Sequence, residues 1–221
     1  MDFVFMLTRF DQTVADGLDV LDDIKPVGLT HIGFKDVGVP PETLRALNQR
    51  IKEMGATSYL EVVSTSVETM LQSAKVAREI GVDRLLGGTQ VDGVLELLAG
   101  SAVEYLPFPG RPFDHPTKLA GSVEQVEADC RRFRAAGCAG VDLLAYRATE
   151  ADPLELVKAA RRATDGILLV AGGVATPAQI QALAAAGADS FTVGSAAFDG
   201  SFAPRLGSLR SQLSAVLDAC R

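Results

Sequence analysis

Two apolar runs late in this 221-residue chain each stop at glycine and run into helix-forming sequence, and that arrangement limits the possible folds more than any other feature. The first is Leu168-Leu169-Val170-Ala171, ending at Gly172-Gly173 before Thr176-Pro177 opens an alanine-rich segment. The second is Ser190-Phe191-Thr192-Val193, ending at Gly194-Ser195. Short, largely apolar strands alternating with helices belong to a parallel sheet covered on both faces. Glycine lets backbone N–H groups approach an anion closely, and a short helix starting near Ala196 aims its positive end at the same point. The turns therefore read as a phosphate cradle built from Gly172, Gly173, Gly194 and Ser195. The alternative is a pair of strand-to-helix turns with no ligand.

The rest of the chain keeps the same alternation. Candidate strands are Phe3–Leu7, Thr30–Phe34, Ser58–Val63, Arg84–Gly87, Val103–Leu106, Val141–Ala145, Ile167–Ala171 and Ser190–Val193. Between them apolar residues recur at helical spacing, as at Val123, Val126, Cys130 and Phe133. Thr65 with Glu68, Ser122 with Gln125, Asp152-Pro153 with Glu155 and Thr176-Pro177 with Gln179 read as helix N-caps. Gly28, Gly55, Gly81, Gly140 and Gly187 each precede a strand by the same interval, with Thr30, Thr57, Asp83, Asp142 and Asp189 two residues later. Those polar residues are expected at the N-terminal rim, so Asp83, Asp142 and Asp189 read as structural. The expectation is a single α/β domain over residues 1–221, a (β/α)8 TIM barrel with eight parallel strands and outer helices.

The stretch from Leu168 to Gly200 resembles the strand-seven and strand-eight phosphate site of phosphate-binding (β/α)8 barrels. Examples are the sugar-phosphate isomerase and cyclase of histidine biosynthesis, indole-glycerol-phosphate synthase, and several sugar-phosphate epimerases and aldolases. The resemblance covers about thirty residues and implies a superfamily and a phosphate site. Individual families fit less well. The histidine-pathway enzymes carry an aspartate at the end of the first strand, where this chain has Thr8-Arg9. Lys35-Asp36 is similar to a Lys-Asp pair of indole-glycerol-phosphate synthase but stands on an earlier strand. Aldolases of the keto-deoxy-phosphogluconate type place an imine-forming lysine on the sixth strand, where this chain has Tyr146-Arg147.

Chemistry in this fold sits at the C-terminal ends of the strands. In His31-Ile32-Gly33-Phe34-Lys35-Asp36, strand parity turns Ile32 and Phe34 toward the helices and His31, Gly33 and Lys35 into the barrel. Lys35 then either forms an imine with a carbonyl substrate or stays charged and stabilises an enolate. The alternative is an exposed loop lysine paired with Asp36. Glu61 interrupts an apolar strand and needs a partner if buried, for which Lys35 is the neighbour. It is the candidate base, or half of a structural ion pair. Asp36 is a weaker catalytic candidate that otherwise caps a turn.

The long connection from Pro107 to Gly121 carries His115 between the apolar anchors Phe108, Phe113 and Leu119. It reads as an ordered lid bearing an acid, or as a surface turn. His31 is expected to be a hydrogen-bonded core residue. Arg147 and, more weakly, Arg9 are candidate substrate contacts.

Composition closes off other classes. A net charge of −7 argues against a nucleic-acid partner. No apolar run reaches membrane-spanning length, and Met1-Asp2 leads into a strand with no basic leader, so neither a membrane partner nor a secretory signal is expected. Cys130, Cys138 and Cys220 form no CxxC pair and suit reduced thiols in the cytoplasm. No HExxH or GxxxxGK[ST] pattern occurs, and two histidines far apart make no metal centre. No cofactor or metal is expected, with Mg2+ on carboxylates left open. The expected partner is a small phosphorylated metabolite, and a homodimer remains an alternative. The function expected is an enzyme acting on a small phosphorylated carbonyl compound, by lyase (aldolase- or decarboxylase-like) or isomerase and epimerase chemistry through an enolate or imine. The competing class is a non-catalytic barrel that binds such a metabolite as a sensor or partner subunit.

Overall fold

The computed structural model describes residues 1–63 and 66–221. Its centre is a ring of eight strands: β1 (Asp2–Met6), β2 (His31–Lys35), β3 (Thr57–Val62), β4 (Arg84–Gly87), β5 (Glu104–Leu106), β6 (Gly140–Leu143), β7 (Ile167–Val170) and β8 (Ser190–Val193). All the ladders between them are parallel, and β8 returns to pair with β1, Asp2 beside Ser190 and Phe5 beside Val193. Only the seam between β5 and β6 is thin. It is bridged by main-chain bonds from Ala139 N–H to Tyr105 O and from Asp142 N–H to Pro107 O, each 3.0 Å. The result is a nearly closed (β/α)8 barrel of eight parallel strands with outer helices.

Helices α1 (Gly17–Ile24), α2 (Pro41–Glu53), α3 (Val67–Ile80), α4 (Val91–Leu98), α5 (Val123–Ala136), α6 (Pro153–Ala163) and α7 (Pro177–Ala186) follow the first seven strands in turn. A four-residue helix, α8 (Ser195–Phe198), and α9 (Leu209–Ala219) follow β8. The expected stripe on α5 packs inward, with Val126, Cys130 and Phe133 buried. Burying side chains of this size contributes about 1.5–3 kcal/mol each. Ser122 and Asp152 cap α5 and α6, and Thr176 with Gln179 makes a reciprocal capping box on α7. Thr65 lies outside the described residues, and the cap of α3 is Ser66, which accepts from Thr69 N–H at 3.2 Å. Among the described residues no helix is long and apolar enough to cross a membrane.

The rim carboxylates divide. Asp83 accepts from Ser58 N–H and Asp189 from Leu168 N–H, each at 2.8 Å, so both tie the start of a neighbouring strand as expected. Asp142 does not. The left-handed helix end that matches Gly81 and Gly187 is Gly137, not Gly140. Gly140 already lies inside β6, so Asp142 stands three residues deeper than the repeat implied, within the barrel.

The opposite end of the lumen is plugged by a polar network. His31 Nδ1 lies 2.9 Å from the Tyr59 hydroxyl, which also accepts from Arg84 at 2.6 Å, and Arg84 pairs with Glu104 at 2.7 Å. Burial and the Arg84 charge outweigh Asp2 and push the His31 pKa down, keeping the ring neutral. His31 is hydrogen-bonded as expected, but it is half-buried at the start of β2 and not a core residue.

Candidate active site at the barrel mouth

Four charged side chains converge above β1, β2, β3 and β6. Lys35 Nζ, at the end of β2, is 3.0 Å from Glu61 Oε1 on β3 and 3.0 Å from Asp11 Oδ1. Arg147, in a single 3-10 turn after β6, holds both Asp11 oxygens, at 2.9 and 3.0 Å. The ladder explains the first pair, because Lys35 and Glu61 are direct neighbours across β2 and β3. Asp11 arrives by another route. After β1 the chain forms a small hairpin, Thr8–Arg9 against Gln12–Thr13, and its two turn residues Phe10 and Asp11 have φ of 50° and 59°. A two-residue hairpin favours positive φ at both positions; aspartate tolerates this, whereas phenylalanine is strained there by about 1–3 kcal/mol. The hairpin tips Asp11 back over the barrel, where it is 6% exposed.

Lys35 is 4% and Glu61 6% exposed, so these charges sit largely out of water. Burial alone would lower the Lys35 pKa, but Glu61 and Asp11 outweigh it and raise it, so Lys35 is held as an ammonium. Burial would raise Asp11, yet Arg147 and Lys35 hold its carboxyl well below the usual carboxylate range. Main-chain bonds from the hairpin after β5 complete the cluster. Thr117 N–H donates to Asp11 Oδ2 and Thr117 O accepts from Arg147, both at 3.0 Å.

Asp142 lies within reach of this electrostatic field, fully buried, and neither of its carboxyl oxygens has a partner among the described residues. Burial first, then the Glu61 charge, raises its pKa well above the ordinary value, against smaller opposing effects of Lys35 and Arg147. It stays protonated over a range where an ordinary aspartate is ionised.

The glycine turns face the same cavity. Gly172 and Gly173 have φ of 77° and 85°, open to glycine and costly for other residues. A Cβ on Gly172 would sit 2.6 Å from Arg147 Nε, and one on Gly194 2.7 Å from the Thr8 hydroxyl. Among the described residues, the amides of Gly172, Gly173, Gly194 and Ser195 donate to no protein carbonyl or side chain. The four residues of α8 are too few for a strong macrodipole, so any anion here depends on those amides. A cavity of about 290 Å³ is lined both by Asp11, Lys35, Glu61 and Arg147 and by Gly172, Gly173, Gly194 and Ser195.

Three candidates are not brought into this cavity. Asp36 turns outward, accepting from Val63 N–H at 3.0 Å and from the Ser73 hydroxyl, so it ties the end of β3 to α3. Arg9 is half exposed and reaches the other way, donating to Phe198 O at 2.9 Å with its guanidinium 4.9 Å from the Phe198 ring. It clasps α8. His115 is exposed at the tip of the hairpin Arg111–Phe113 with Lys118–Ala120, into which the long connection folds. Phe108 and Leu119 anchor that hairpin as expected. Sequence reasoning missed Asp11, Thr117 and the placement of Asp142. For Asp11 the only signal was a polar residue in the short segment after β1. Among the described residues, no group of three or more His, Cys, Asp or Glu is arranged to hold a metal ion.

Comparison with known proteins agrees with this architecture. A family model for histidine biosynthesis proteins matches residues 114–203, which is less than half of the chain but includes both glycine turns. No curated protein sequence matches. Over its whole length the structure is similar to orotidine 5'-phosphate decarboxylase from Pyrococcus horikoshii OT3, with TM-score 0.70, 16% identity and 99% of each chain covered. It is similar to 3-hexulose-6-phosphate synthase, with TM-score 0.68, 16% identity and 100% of each chain covered. A thiamine phosphate pyrophosphorylase from Pyrococcus furiosus gives TM-score 0.64 at 12% identity, over 100% of this chain and 97% of that one. At such identities the likeness is one of fold. The resemblance to phosphate-binding (β/α)8 barrels holds at the level of the superfamily, with no one family singled out.

Proposed function

We propose that the barrel is an enzyme acting on a small phosphorylated carbonyl compound, by lyase chemistry of the aldolase or decarboxylase kind or by isomerisation, through an enolate. One observation carries this reading: a single cavity is lined both by a buried lysine–carboxylate cluster and by unengaged main-chain amides. The three similar structures named above each carry a phosphate compound in their names, which supports this reading.

In this scheme the substrate phosphate accepts from the N–H groups of Gly172, Gly173, Gly194 and Ser195, and its carbonyl oxygen accepts from Lys35. Glu61 takes a proton from the carbon beside the carbonyl. The C–H electron pair becomes a C=C bond, and the charge gained by oxygen is offset by the Lys35 ammonium. Return of the proton to the former carbonyl carbon, while the hydroxyl proton on the adjacent carbon passes to the enolate oxygen and leaves the new carbonyl behind, completes an isomerisation of an α-hydroxy carbonyl compound. Where a C–C bond breaks instead, Glu61 takes the proton of the β-hydroxyl, which leaves as an aldehyde carbonyl, or a carboxylate leaves as CO2, and in either case the bond's electron pair enters the enolate held by Lys35. The raised pKa of Lys35 favours this over an imine, which needs the free amine. Asp11 orients both cations, and Arg147 stands between Asp11 and the phosphate turns. The scheme uses no cofactor, and exposed His115 has no part in it. The free cysteines suit a reducing compartment, and we place the protein in the cytoplasm.

The test incubates the protein with a panel of aldose and ketose phosphates in D2O and follows deuterium entry and product formation by NMR. Glu61→Gln is expected to slow exchange about 10²-fold or more while phosphate still binds. Borohydride trapping is expected to leave Lys35 unmodified. Binding without exchange or conversion for any member of the panel would instead favour a non-catalytic metabolite-binding barrel.

A further inference from the structure

A second cavity, also of about 290 Å³, opens beside the first, over the ends of β3, β4 and β5. Val63, Met70, Phe108 and Pro112 supply apolar wall, with the backbone of Gly88 and Gly110 between them. The one charged residue in the lining is Arg111, and its guanidinium is already taken, donating to Gln125 at 2.6 Å and to Glu150 at 3.3 Å. Thr89 N–H is directed at Met70 Sδ, a weak acceptor, at 3.2 Å. The chemistry of this wall suits an uncharged, apolar group.

The two cavities are neighbours at the barrel mouth with no lining residue in common. Glu61 lines the first and Val63, two residues further along the chain, lines the second. Thr117 lines the second while its N–H and C=O hold Asp11 and Arg147 of the first. Thr117 therefore stands between the two cavities.

We infer that the second cavity is a specificity subsite for an uncharged, ring-sized apolar group carried by the same phosphorylated substrate. The phosphate lies at the glycine turns, the carbonyl at Lys35 and the apolar group between Met70 and Phe108. A thioether beside an aromatic ring forms an adaptable apolar seat of this kind. The assignment rests on the phosphate reading above, and its test separates the two.

Affinities are measured by calorimetry for inorganic phosphate, methyl phosphate and phenylalkyl phosphates of increasing chain length. The proteins are the wild type and the cavity-filling variants Thr89→Phe and Val63→Phe. The wild type is expected to bind a phenylalkyl phosphate long enough to cross between the cavities about tenfold more tightly than methyl phosphate, the gain from burying part of a ring. The variants are expected to lose that preference and still bind inorganic phosphate like the wild type. A flat series in the wild type, or an undiminished preference in the variants, overturns the subsite. If neither inorganic nor methyl phosphate binds, the phosphate reading fails by itself. Benzyl alcohol then tests the apolar seat alone in the wild type, through NMR shifts of the Met70 methyl and Phe108 ring. Shifts at both support the seat, and their absence overturns it. That measurement needs no variant to fold.

Discussion

Asp142 is a fully buried carboxyl with no bonded partner among the described residues, and the fold keeps it by keeping its proton. Because its folded pKa is raised, the stability it contributes is fully present below the unfolded value and is lost as pH rises through the folded one. Asp142→Asn escapes that loss. The variant is expected to match the wild type most closely near pH 4 and to gain on it above, by up to about 1.4 kcal/mol per pH unit until the folded value is passed. Urea unfolding across a pH series measures this. Asp11 has the opposite sign. Its pKa is depressed in the fold, so its contribution is present above the unfolded value of 3.8 and is lost as pH falls from there toward the lower folded one. Asp11→Asn leaves Lys35 and Arg147 short of a counter-charge and is expected to cost about 3–5 kcal/mol at pH 7, a gap that narrows in acid. At this scale Lys35 and Glu61 were legible, because strand parity says which side chains point inward. Asp142 was misread because the spacing was counted from Gly140 and the helix ends at Gly137.

Elements were the most legible level, since apolar periodicity and capping residues are local signals. Boundaries of β4 and β8 agree with expectation, and the other six strands differ by one or two residues at an end. The two mouth hairpins were not foreseen. Phe10-Asp11 lacks the glycine that normally announces a two-residue turn, and Arg111–Phe113 reads as loop because prolines surround it. Phe10 is 82% exposed at φ 50°, so Phe10→Gly is expected to be neutral or stabilising by up to about 1 kcal/mol in thermal unfolding. The glycine turns give a paired prediction. Gly194→Ala pushes a methyl group onto Thr8 and is expected to weaken phosphate binding about tenfold or more, with 1–3 kcal/mol lost from overpacking. Gly137→Ala meets open space at φ 92° and is expected to cost about 1 kcal/mol of stability while phosphate affinity stays unchanged. Calorimetric titration of both variants with phosphate separates a ligand-facing glycine from a merely conformational one.

For the molecule as a whole, the mouth collects the groups that the barrel brings together, and ligand binding there is linked to global stability. With phosphate at about 100 times its dissociation constant, stabilisation is about 2.7 kcal/mol, which for a chain of this size raises Tm by roughly 5–10 °C. No shift with phosphate or sulfate in a thermal melt would remove the cradle from the argument. We propose that the strands from β1 to β8 unfold as one cooperative unit, because β1 is held between β2 and β8. Coincident fluorescence and circular-dichroism transitions are the expected result.

Sequence alone was enough for eight alternating strands and helices, two glycine turns, and a lysine and a glutamate facing inward, because each follows from local periodicity or from the one conformation a residue type permits. Only the tertiary structure decided that Asp11 reaches Lys35 across 24 positions and Arg147 across 136, and that Thr117 ties Asp11 to Arg147. Those contacts depend on a strained turn and on closure of the ring, and neither the energy of that turn nor the angle at which distant strands meet is written in the spacing of residues along the chain.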